Sequence, residues 1–87
     1  MEKRIRERIV TVLETLYKEN MLNFVLGSLI SADNIGEEKL KATQMAEDML
    51  DCIDETKIPS EEKERVKRHL KTAIEINKRE MEASESE

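Results

Sequence analysis

Apolar side chains in this chain recur in runs with helical spacing. In Glu2 to Glu19, Ile5, Ile9, Val12, Leu13 and Leu16 fall at i, i+4, i+7, i+8 and i+11, one face of an α-helix. Val10 and Tyr17 lie beside that stripe and widen it. Ala42, Ala46, Met49, Leu50 and Ile53 repeat the same five-position spacing, and Ile35 lies on its extension. Val66, Leu70, Ala73 and Ile74 form a third stripe, continued by Asn77 where another hydrophobe is expected. No stretch alternates as a strand would.

The segment Met21 to Ala32 differs from all of these. It carries no charge in a chain where 40% of residues are charged, and it holds Phe24, one of two aromatic residues. Met21, Leu22, Val25, Leu26, Leu29 and Ile30 cover a wide arc of a helix. Such a helix is buried on most sides. It is too short to span a bilayer, which takes about 20 apolar residues. The expected place for this segment is the core or a subunit interface. Ala42 and Ala46 imply close packing against a bulky neighbour such as Phe24.

Breaks between the stripes are written in turn chemistry. Asp33-Asn34-Ile35-Gly36 ends the first helical region, and Glu37 and Glu38 then suit the positive end of a new helix. Pro59 cannot continue a helix, and Ser60 is a good N-cap for the last one, expected to run to about Met81. The junction at Asn20 has neither proline nor glycine. A continuous or bent first helix is expected there, with a break at Asn20 as the alternative. The spacing predicts an all-α antiparallel bundle of three long helices, or four if the first splits. Residues 1–82 form one domain, and 83–87 a disordered polar tail.

Composition narrows the function. Eighty-seven residues bury only ~60% of their unfolded surface, so stability is marginal without added support. One cysteine, Cys52, and one histidine, His69, supply neither a disulfide nor a zinc site. Oligomerisation is the remaining common route. The lone cysteine and the lack of an apolar secretory core after Met1 point to the cytoplasm. Many charges and a single glutamine resemble thermophile composition.

Catalytic chemistry finds little foothold. Cys52 lies beside Asp51 and Asp54, which disfavour a thiolate. His69 has no nucleophile or carboxylate at a recognisable spacing. The Glu-x-x-His motif of di-metal bundles is absent, since Val66 stands where its Glu would be. Neither a glycine-rich phosphate loop nor any cofactor motif is present. The chain reads as a non-enzyme without metal, cofactor or membrane span.

Three surfaces remain as candidates. Val10, Tyr17, Met21 and Val25 would be left partly bare once the other stripes cover the central segment, and so mark a homodimer interface. Glu47, Asp48, Asp51, Asp54 and Glu55 form an acidic face suited to a basic protein partner. Lys67, Arg68 and Lys71 project from KERVKRHLK, where phosphate contacts are conceivable. Glu61, Glu62, Glu64 and Glu75 surround that basic face, and no aromatic residue is near for base stacking. With 20 acidic and 15 basic residues, a protein-interaction or structural module acting as a homo-oligomer is the first reading. A nucleic-acid-associated regulator is the second.

Overall fold

The computed structural model describes residues 2–29 and 37–85, with side chains to Ala83. Four α-helices follow in order: α1 Lys3–Lys18, α2 Leu22–Ser28, α3 Glu37–Cys52 and α4 Ser60–Glu85, with a 3-10 turn, Ile53–Glu55, between the last two. No strand occurs among the described residues. The turn expected at Asp33 to Gly36, and Ile30 and Ile35 with it, lie outside the described residues.

The first helix does break at Asn20. Asn20 has φ of 59°, the left-handed region that asparagine tolerates better than other side-chain-bearing residues. Its N–H donates to the Tyr17 carbonyl at 3.2 Å, and the Met21 N–H donates to the Leu16 carbonyl at 2.9 Å. These two bonds form a Schellman stop, which satisfies the carbonyls that end α1. Asn20 therefore closes the first helix instead of capping the second, and the expected continuous helix gives way to two.

The break decides which way the central segment faces. In α2 the inward positions are Leu22 and Leu26, continued by Leu29 just past its end, and all three are buried. Phe24 sits about 200° round the helix from Leu22, at ~100° per residue, and is 76% exposed. The expectation of a core Phe24 packed on Ala42 and Ala46 is thus overturned. A seven-residue helix crosses the bundle once and buries a single side.

Helices α3 and α4 form the main antiparallel pair. Glu47 pairs with Lys78 at 3.2 Å near one end and Asp54 with Lys67 at 2.6 Å near the other. Val66, Leu70, Ala73 and Asn77 are the buried face of α4. The buried face of α3 is Lys39, Thr43, Ala46, Met49 and Cys52, rotated from the stripe read in the sequence. Ala42 and Leu50 are half-buried at its edge. Lys39 enters the core because an aliphatic stem packs like a hydrophobe while its ammonium seeks a partner; here that partner is Glu80. The Thr43 hydroxyl donates to the Lys39 carbonyl at 2.8 Å, so burying it leaves no donor unmet.

The connection into α4 is tied down locally. The Thr56 hydroxyl donates to the Ile53 carbonyl at 2.7 Å, and the Lys57 N–H donates to the Glu14 carboxylate at 2.8 Å. Ile58 is buried. The Lys63 N–H donates to the Pro59 carbonyl at 2.9 Å. Pro59 therefore stands at the N-cap, and Ser60 is the first helical residue. Helix α4 is assigned to Glu85, four residues beyond the expected end. Its 26 residues measure about 39 Å at 1.5 Å each, close to the molecule's 43 Å long axis.

Candidate docking groove

Leu13 is the only fully buried residue of α1, and Ile9 and Leu16 are partly buried against the core. The rest of the stripe is less covered. Ile5 is 47% exposed and Val12 48%. Helix α1 approaches α3, α2 and the 3-10 turn most closely, and the part of its wide apolar arc turned away from the core is left uncovered. The uncovered part opens beside α3, where Met45 is 53% exposed.

Together these residues make a groove of about 480 Å³, lined by Arg8, Ile9 and Val12 from α1 and by Lys41, Gln44, Met45, Asp48 and Met49 from α3. Its floor is apolar, and its rim carries both signs of charge. Lys41 makes only a loose pair with Glu37, 3.5 Å apart and mostly in solvent. Asp48 forms no ion pair among the described residues. Two thioethers and two branched aliphatics suit an adaptable apolar contact. Val12 was legible in the sequence as an apolar position, but as a core one. Met45 lies outside the stripe of α3; the signal for it was an apolar residue on an otherwise polar face.

The residues expected at an interface are covered to different degrees. Val10, Tyr17 and Val25 are partly buried against the core, while Met21 is half exposed. Val10 lines a hollow with Lys3, Arg6, Glu7, Thr11 and Glu55. Tyr17 lines a different one with Lys18, Asn20, Leu22, Asn23, Glu62 and Arg65. The hollow beside Tyr17 has largely polar walls, while the one beside Val10 is walled mostly by the aliphatic parts of charged side chains.

Of the acidic face, Glu47, Asp54 and Glu55 pair with basic groups of the same chain, while the Asp48 and Asp51 carboxylates form no ion pair among the described residues. Arg6 Nε donates to Glu55 at 2.7 Å, and its Nη2 donates to the Asp51 carbonyl at 2.9 Å. That bond to Glu55 raises the guanidinium's pKa. Lys67 bridges Asp54 at 2.6 Å and Glu64 at 3.4 Å. The hydrogen bond from Lys67 holds the Asp54 carboxyl below its ordinary range and raises the lysine in turn. Of the basic face, Lys67 is thus occupied. Arg68 borders a shallow hollow with Arg65, His69 and Thr72, and Lys71 borders another with Leu50 and Ile74.

Groups with possible reactivity are placed as structure. Cys52 is fully buried, and burial pushes its thiol pKa up. His69 is exposed on α4. Among the described residues no group of three or more His, Cys, Asp or Glu side chains is arranged to hold a metal ion, and no helix is long and apolar enough to cross a membrane. No family model, curated protein or solved structure matches this chain.

Proposed function

We propose that this chain is a non-enzymatic protein-interaction module whose α1/α3 groove docks an amphipathic helix. The observation that carries this reading is the pairing of Val12 and Met45, both about half exposed, on the two walls of one apolar groove. A groove between helices that takes a partner's apolar face is a common mode of helix recognition. The rim sets the partner's chemistry. Arg8 and Lys41 on one hand and Asp48 on the other call for a helix whose apolar stripe is flanked by both acid and base. Neither a polyanion nor a lipid surface has that pattern. The nucleic-acid reading loses support from Lys67, which already serves two carboxylates of its own chain.

The test is the double variant Val12→Asp with Met45→Asp. Both side chains are about half exposed, so far-ultraviolet circular dichroism should stay near that of the parent chain. Association should disappear, measured by sedimentation of the pure protein and by affinity purification from the native host. A folded variant that associates as the parent does, in both settings, removes the groove as the docking surface.

A further inference from the structure

We propose that the occupant of this groove is a second copy of the same chain, seated about a two-fold axis that crosses α3 between Gln44 and Met45. The inference rests on the docking reading and names its partner. Lys41, Gln44, Met45 and Asp48 all line the groove from α3. They fall within about 100° of arc at ~100° per residue. Lys41 lies as far before the axis as Asp48 lies after it. When two copies of α3 run antiparallel across a two-fold, residues equidistant from the axis face each other. Lys41 then meets the partner's Asp48, and Asp48 meets the partner's Lys41. Met45 meets the partner's Gln44 and lies next to the partner's Met45, while Val12 and Ile9 close the apolar floor from α1.

Charge selects this arrangement over the parallel one. Parallel copies would set Lys41 against Lys41 and Asp48 against Asp48, which is repulsive at both places. In the antiparallel pair, Asp48, which forms no ion pair among the described residues, gains one. Lys41 gives up only its loose contact with Glu37, which is worth little in solvent.

Sedimentation equilibrium over a wide concentration range tests this on the full chain, with charge exchange and cross-linking as readouts of register. The parent chain should sediment as a dimer at high concentration. Lys41→Asp should weaken the dimer by about tenfold or more, since it sets like charges together at two symmetric sites. Lys41→Asp with Asp48→Lys should restore it. Met45→Cys should form a covalent dimer under mild oxidation, and Met21→Cys, equally exposed but far from the axis, should not. A one-chain mass at every concentration would overturn the second copy as occupant while leaving the groove open to another protein. A dimer that ignores Lys41→Asp and gives no Met45→Cys link would place the interface elsewhere.

Discussion

Arg6 and Glu55 join α1 to the 3-10 turn through a 2.7 Å charged hydrogen bond, and the same guanidinium donates to the Asp51 carbonyl at the end of α3. One side chain thus holds α1 at two points. This clamp, the bond from the Lys57 N–H to the Glu14 carboxylate and the burial of Leu13 are much of what seats it. Arg6→Ala should lower the melting temperature more than Glu55→Gln does, because the glutamine variant keeps the bond to the Asp51 carbonyl. High salt should reduce the loss in both variants, since the ionic part is screened, and leave the gap between them. Equal melting temperatures for the two variants at low salt would remove the backbone contact from the account.

A second prediction separates the two faces of α2. Leu26→Ala should cost ~2–5 kcal/mol, as truncation of a buried leucine does, because Leu26 is buried. Phe24→Ser should change stability by no more than about 0.5 kcal/mol, the usual range for exposed positions. Urea denaturation of both variants measures the contrast. A large loss at Phe24 would put that ring in the core.

That contrast shows where sequence reading succeeds and stops. Leu13, Leu22, Leu26, Val66 and Leu70 are legible as core because each is central to an apolar arc. Phe24 and Val12 are equally apolar but are left bare, because periodicity states which residues share a side and not whether anything lies against that side. Lys39 and Thr43 fail for the opposite reason. A lysine stem buries well once its ammonium reaches Glu80, and a threonine hydroxyl once it bonds one turn back. Both partners are invisible to a pattern of apolar and polar letters. The groove inherits the same limit, since its walls come from two helices whose relative seating is set by the Arg6 clamp and the break at Asn20.

Asn20 itself carries the third prediction. Its positive φ is open to glycine without steric cost and disfavoured for a β-carbon. Asn20→Ala should destabilise by about 1 kcal/mol, and Asn20→Gly should leave stability equal to or slightly above the parent. If alanine and glycine behave alike in denaturation, the chain reverses at Asn20 by some other geometry.

The pH dependence follows from three shifted groups. The Asp54 carboxyl is held low, first by its hydrogen bond from Lys67. Its contribution is present above the unfolded carboxyl value of about 3.9 and is lost as pH falls below that toward the folded value. The Cys52 thiol is raised, first by burial. Its unfolded form begins to ionise near pH 8.5 while the folded form stays protonated, so stability falls as pH rises past that point. Lys67 is raised by Asp54 and adds a further loss above about pH 10.4. Stability should therefore be flat from roughly pH 5 to 8 and fall on both sides. Cys52→Ala should delay the alkaline fall, and Asp54→Asn should soften the acid one. Melting curves across pH check both, and a thiol reagent should label Cys52 only as fast as the fold opens.

The last prediction concerns Lys39, whose side chain is only 1% exposed while that of Glu80 is 43% exposed. The ammonium is drawn out of water along its whole length, and Glu80, reaching in from α4, is the carboxylate that meets it. Burying a charge against one half-solvated partner is costly, and an apolar side chain of similar volume avoids that cost. Lys39→Met should therefore leave stability unchanged or raise it. Glu80→Ala should lower it, because the buried ammonium then has no counter-charge. Asn77 behaves differently although it is fully buried nearby on α4. Its Nδ2 donates to the Leu29 carbonyl at 2.9 Å, just past the end of α2, while its Oδ1 is buried with no hydrogen-bond partner among the described residues, so Asn77→Leu strands a carbonyl but removes an orphaned oxygen, and should cost no more than about 1 kcal/mol. Restoring Glu80→Ala by adding Lys39→Met would show that the lysine's charge, and not the helix contact, is what Glu80 answers. If the double variant is as unstable as Glu80→Ala alone, Glu80 acts through packing, and the buried pair has no part in holding α3 to α4.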